Sequence, residues 1–156
     1  MKALLTTIAL CALAAAQSGA AAGGVEVVGF DWKYDGYLPV ETVRNSKSAT
    51  STRVRRGTDY VFKYRAQATV KNAGAKAVKA VEWDFVFSEA EGGRELKRYK
   101  LRSKQQVRPG ATALLSEDVF IKPEESTRHI SDGRRSVSVT RVEFSDGSEW
   151  RAEGKR

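Results

Sequence analysis

The chain's 156 residues include 27 Lys or Arg and 19 Asp or Glu, a formal charge of +8, with 41% hydrophobic residues and a single cysteine. This length holds one domain with an appendage, not two full cores, and the apolar content excludes wholesale disorder. One Cys excludes a disulfide framework and any multi-cysteine metal centre.

Residues 1–22 read MKALLTTIALCALAAAQSGAAA. Lys2 opens them, residues 3–16 carry no charge, and small residues follow from Ser18 to Gly24. These features in this order make a secretory signal peptide with a small-x-small cleavage site. The apolar run is shorter than the roughly 20 residues that span a bilayer. Cys11 does not make it a lipoprotein signal, because bulky Leu10 stands where a small residue belongs. The expectation is a cleaved leader and a secreted or periplasmic mature chain without Lys2, Cys11 or a transmembrane anchor.

Residues 23–58 then read as one short strand, Val25 to Phe30, followed by a polar, irregular segment over 31–58. The core is expected over 59–156. Tyr60, Phe62, Tyr64, Ala66, Ala68 and Val70 alternate with Lys63, Arg65, Gln67, Thr69 and Lys71, a period of two with one apolar face. Asn72-Ala73-Gly74 punctuates the pattern, and Val81, Trp83, Phe85 and Phe87 resume it against Glu82 and Asp84. The segment Glu89 to Gly93 is a turn, Leu96 to Arg102 a weaker strand, and Pro109-Gly110 a break before Ala111 to Ile121. Residues 122–135 form a polar loop, and Val137 to Phe144 and Ser148 to Arg151 close the chain. No stretch after the leader has helical periodicity. Seven short strands with turns at this spacing predict an all-β, immunoglobulin-like β-sandwich.

Two turns carry register. Ser145-Asp146-Gly147 fits a three-residue hairpin loop with Gly147 in the left-handed position, which sets Val142 opposite Trp150 and Phe144 opposite Ser148. A two-residue Asp-Gly loop would set Glu143 opposite Trp150 and bury a carboxylate or expose an indole. The turn at Asn72 to Ala75 leaves two readings open. As a hairpin it pairs Tyr60 with Phe87, Phe62 with Phe85 and Tyr64 with Trp83, and sets Lys63 against Asp84 and Arg65 against Glu82. As an arch it sends the two strands to opposite sheets, and the same six aromatics meet across the core.

The stretch VKNAGAKAVKAVEWDFVF, a Gly-bearing turn and then VRPGATALL together resemble bacterial extracytoplasmic immunoglobulin-like domains of the FxLYD type. Such domains enter a hydrophobic strand from a V-x-N turn and a later one from Pro-Gly. The resemblance runs from Tyr60 to about Leu115, with Trp83 to Phe87 standing where the family has its Phe-x-Leu-Tyr-Asp run. It implies a fold, and it implies no catalytic residues.

Arg98, Lys100, Arg102 and Lys104 recur at every second residue, which on a strand sets them on one face about 7 Å apart. With Arg53, Arg55, Arg56, Arg94, Lys97 and Arg108 they make a candidate cationic surface for anionic glycan or lipid phosphate. The same pattern also blunts an edge strand against edge-to-edge pairing. Nucleic acid is not expected, because the chain is read as exported and no aromatic sits on that face as a stacking platform. Trp32, Tyr34 and Tyr37 beside Asp31 and Asp35 suit a sugar or a calcium ion, or simply pin a loop onto the sandwich. His129, the one histidine, falls in the polar loop and reads as solvated. No nucleophile turn, phosphate loop or zinc spacing occurs, so no catalytic residue, metal site or cofactor is expected. The function read here is a non-catalytic binding or structural module of the cell envelope, partnered by an envelope protein or a polyanionic surface. A cationic receptor for anionic glycan or lipid head groups is the alternative, and a hydrolase using loop carboxylates a remote one.

Overall fold

A computed structural model describes residues 23–47, 52–123 and 125–153, so the leader reading of residues 1–22 lies outside the described residues. Seven strands follow in chain order: β1 Val25–Lys47, β2 Thr52–Asn72, β3 Val78–Ser88, β4 Glu95–Ser103, β5 Thr112–Ile121, β6 Arg134–Phe144 and β7 Glu149–Arg151. One helical turn, α1 Arg128–Asp132, precedes β6. The strands form two antiparallel sheets, ordered β1-β2-β5 and β4-β3-β6-β7. Neighbours that are not consecutive in sequence, β2 with β5 and β3 with β6, make this the Greek-key sandwich of immunoglobulin-like domains.

Among the described residues the polar segment over 31–58 is not irregular. Its described residues lie in β1 and β2, and a boundary at residue 58 falls inside β2. The alternation that marks a strand needs one buried face, and most of this hairpin lies beyond the packed sheets, so neither face is uniformly apolar. Trp32 likewise belongs to the core and not to a pinned loop. It is 5% exposed, with Phe85 and Phe87 centred 5.0 and 5.1 Å from its ring and Tyr99 at 4.9 Å.

The turn after Asn72 is the arch, with β2 and β3 in opposite sheets. Trp83, Phe85 and Phe87 are fully buried from one side, facing Ala66, Ala68 and Val70 from the other. Tyr60, in contrast, is 49% exposed and lies outside the core. The charge pairs of the hairpin reading are absent. Lys63 reaches Asp35 and Asp118, each at 3.0 Å, and Arg65 reaches the same two carboxylates.

Asn72 makes the crossing. It is 1% exposed, and its side-chain amide donates to the carbonyls of Lys76 at 2.9 Å and Val107 at 3.0 Å. Its Oδ1 accepts from the Gly74 N–H at 3.0 Å, and its own backbone pairs with Ala111 and Gly110. The turn's other amides, Ala73 and Gly74, donate to the Gly24 carbonyl. The backbone amides of Asn72, Ala73 and Gly74 are therefore committed to Gly24 and to the Pro109-Gly110 turn rather than to a hairpin. At the far end of the chain the three-residue loop is found as read, with Val142 opposite Trp150 and Gly147 at φ 83°.

Replacing Asn72 with Ala removes three hydrogen bonds and takes the Asn72 donor from the Lys76 carbonyl, while the Val107 carbonyl keeps the Val78 N–H, so urea unfolding should show a loss of about 1–3 kcal/mol. Asn72→Asp should be no milder, because a carboxylate then faces the Lys76 and Val107 carbonyls. A loss below about 0.5 kcal/mol would mean that the amide does not hold the crossing.

Candidate functional site

The basic strip lies on β4, at the edge of the four-stranded sheet. The register sets Lys100 opposite Asp84 and Arg102 opposite Glu82. Arg98 pairs with Asp84 and Glu95, and these two carboxylates hold its guanidinium above its ordinary pKa. Arg102 binds Glu143 at 3.0 Å and stands 3.9 Å from Glu82. The same carboxylates carry the network onward. Lys79 meets Glu143 at 2.8 Å, Arg141 meets Glu82 at 2.9 Å and also Glu149, and Arg151 meets Glu149 at 2.8 Å. Hydrogen bonds from Lys79 and Arg141 hold Glu143 and Glu149 below the usual carboxylate range. The outer face of this sheet is thus a mosaic of alternating charge, and Lys100 and Lys104 are exposed members of the strip. Arg94 and Lys97 lie elsewhere, at the β3–β4 turn and on the opposite face of β4, beside Glu89 and Glu125.

A cleft of about 640 Å³ opens at that turn, between Glu89, Arg94 and Lys97 on one side and Glu125, Arg128 and His129 on the other. α1 brings His129 there, and the histidine is not solvated as read. It is 8% exposed, its ring packs edge-on against Phe87 at 5.0 Å, and its Nε2 lies 2.9 Å from the Tyr99 hydroxyl. Burial first, and the Lys97 charge second, push the imidazole below its ordinary pKa, against opposing contributions from the Ser126 backbone and Glu125. Burial also raises the Tyr99 phenol to about 12. The polar loop hid this because one helical turn is too short to show a period, and the partners Phe87 and Tyr99 are distant in sequence.

The third feature is the β1–β2 ribbon. β2 pairs with β5 only as far as Phe62↔Ile121, and residues 52–61 continue against β1 alone. The core face of β2 runs on into this ribbon. Tyr34 stands opposite Tyr64, Tyr37 opposite Phe62 after a bulge, and Pro39 opposite Tyr60. The rings touch in sequence, Trp32 on Tyr64 at 5.7 Å, Tyr34 on Tyr64 at 5.4 Å and Tyr37 on Tyr60 at 5.5 Å. Past Trp32 the row is exposed, Tyr34 by 56%, Tyr37 by 62% and Tyr60 by 49%. β3, which covers Trp32, ends at Ser88. Beyond the aromatics the strands carry Arg44, Lys47, Arg53, Arg55 and Arg56. The sequence signal for the ribbon was the β-branched content of residues 40–54, with Val40, Thr42, Val43, Thr52 and Val54.

Among the described residues no group of His, Cys, Asp and Glu has the arrangement of a metal site, and no helix is long and apolar enough to cross a membrane. No family model, curated protein or solved structure matches the chain.

His129 makes stability depend on pH in a stated direction. Its folded pKa lies below the ordinary 6.5, so the unfolded chain binds the proton more readily. Stability is full above pH 6.5 and is lost as pH falls from there toward the lowered folded value. The carboxylates held low, including Glu95, Glu143 and Glu149, have ordinary values of 4.5 and lose their contribution only at lower pH. The urea midpoint should therefore drop between pH 6.5 and 4.5, and His129→Gln should flatten that slope. An unchanged slope in the variant would show that the imidazole is not the group responsible.

Proposed function

We propose that the chain is a secreted or periplasmic, non-catalytic binding module of the cell envelope whose contact element is the β1–β2 ribbon. The observation that carries this reading is the continuation of β2 past its last partner on β5, with only β1 beside residues 52–61. A two-stranded ribbon in water is marginal by itself. This one runs from Leu38 to Lys47, roughly 30 Å at about 3.3 Å per residue, and a partner bound along it would stabilise it by mass action. Five Lys and Arg against Glu41 and Asp59 over residues 38–61 favour an anionic partner, either a polyanionic surface or an acidic envelope protein.

Several observations support the remaining parts. Arg98 and Arg102 already make ion pairs, so the β4 strip, through Lys100 and Lys104, offers at most a secondary contact. The His129 ring is engaged by Tyr99, and the cleft carboxylates Glu89, Glu125 and Asp132 stand beside Arg94, Lys97 and Arg128, which favours binding over hydrolysis. The likeness to extracytoplasmic FxLYD-type domains is part of the same reading. Asn72 supports it by tying the V-x-N turn to the Pro109-Gly110 turn. The leader anatomy of residues 1–22 supports export.

Tyr37 and Phe62 are direct cross-strand partners, so an Asn-Gly turn can replace residues 38–61 and close the hairpin between them. On a dextran sulfate matrix the wild-type domain should be retained at low salt and released by about 0.3–0.5 M. The shortened domain should pass through, while Arg98→Gln/Lys100→Gln/Arg102→Gln should stay close to wild type. Expressed with its leader, the chain should appear in the periplasmic fraction without residues 1–22. Equal retention of the shortened domain, or no retention of the wild type, would overturn the ribbon as contact element, and a cytosolic chain with an intact leader would overturn export.

A further inference from the structure

We infer that the ribbon takes a linear acidic polysaccharide, with sugar rings stacked on Tyr34, Tyr37 and Tyr60 and acidic groups met by the cations further along the same strands. This deepens the ribbon reading above and rests on it. Three rings that belong by register to the core face emerge from the sandwich in a row, held by their contacts with Tyr64, Phe62 and each other. Tyrosine suits a saccharide because its ring covers the apolar C–H face of a sugar, its hydroxyl bonds to the sugar's own, and only two side-chain torsions need fixing. Further out, the register continues this row through Val43↔Arg56 to Lys47↔Thr52. The alternate row places Arg44 opposite Arg55 and Ser46 opposite Arg53.

The order of residues along the ribbon separates this occupant from others. A membrane-inserting hairpin carries its apolar residues at the far end and its cations at the rim. Here the aromatics are at the base and the far strands read VRNSK and TRVRR. A second copy would bring five Lys and Arg against five more, on chains that each carry a formal +8. The leader anatomy of residues 1–22 selects saccharide over nucleic acid, which an exported chain does not ordinarily meet.

The test measures binding of the mature domain to four probes of known composition. These are a polyuronate oligosaccharide, polyphosphate of matched charge, single-stranded oligo-dT, and vesicles containing phosphatidylglycerol. The oligosaccharide should bind tightest. Tyr34→Ala/Tyr37→Ala should weaken it about tenfold with little change in the slope of log K against log salt. Tyr37→Trp should retain binding. Lys47→Ser/Arg56→Ser should instead lower that slope, by about one to two. Urea midpoints of the tyrosine variants near wild type confirm that the fold is intact, as expected for side chains this exposed. If polyphosphate binds as tightly and the tyrosine variants change nothing, the saccharide inference falls and the anionic ribbon stands. Tightest binding of oligo-dT or vesicles overturns the saccharide in favour of that polyanion. If no probe binds, the anionic ribbon reading falls with it.

Discussion

The side-chain amide of Asn72 is the constraint on which both sheets depend. At this residue the chain leaves the three-stranded sheet for the four-stranded one, and the amide spends both N–H groups and its oxygen on the crossing. Its backbone meanwhile pairs with the 107–111 turn, which leads into β5 and so back to the first sheet. One buried residue therefore fixes the exit of β2, the entry of β3 and the approach of β5. The cost of leaving any of these groups unpaired in the interior selects the arch over a hairpin. The aromatics then have no choice of partners. Strands in opposite sheets bury their same-parity residues against each other, which places Trp83, Phe85 and Phe87 in the one enclosed space the two sheets share.

That enclosure decides where the charge goes. With the inner faces apolar, the outer faces must hold nearly all Lys, Arg, Asp and Glu, and period-two alternation spaces them within reach across strands. On the four-stranded sheet Glu82, Asp84, Glu143 and Glu149 sit between Arg98, Arg102, Arg141 and Arg151. On the three-stranded sheet Asp35 and Asp118 bracket Lys63 and Arg65. Exposed pairs of this kind add little stability. Their effect is to flatten the local field, so the formal +8 of the sequence is not spread evenly over the surface. The excess belongs to segments with few carboxylates, and the sequence over residues 42–56, with none, is the clearest of them.

The seven strands were legible because each has one face in the core, and alternation is the direct record of that burial. The Val142–Trp150 register was legible because loop length alone separates burying an indole from burying a carboxylate. The length of the ribbon was not, since residues 38–47 and 52–61 carry no sustained apolar alternation on either face. Trp32 and His129 were misread for a different reason. Both sit in polar stretches, and what buries them, Phe87 and Tyr99, comes from strands far off in the chain. Local pattern reports a residue's own element, whereas burial of a single side chain is a property of the elements around it. The strand that carries Arg98, Lys100 and Arg102 was legible as β4, but the pairing of Arg102 required Glu143 from β6, which no local pattern supplies.

The ribbon's two kinds of residue sit where their physics can operate. Ring stacking needs fixed geometry, and the aromatics lie where core packing still provides it. Trp32 holds Tyr64, Tyr64 and Phe62 hold Tyr34, and Tyr37 leans on Tyr60. Beyond Trp32 the rings are exposed, so their placement rests on these ring contacts. Charge needs far less precision, because its field reaches about 8–10 Å in physiological salt. On the proposed reading, the basic far part of the strands would steer an anionic chain toward the ribbon, and preordered rings near the base would fix it without first having to be ordered. The reverse arrangement would take the rings away from the core packing and set the cations beside the sandwich's own carboxylates. The order along the strands, aromatic then cationic, is the one in which a marginal two-stranded element would make the selective contact proposed for it.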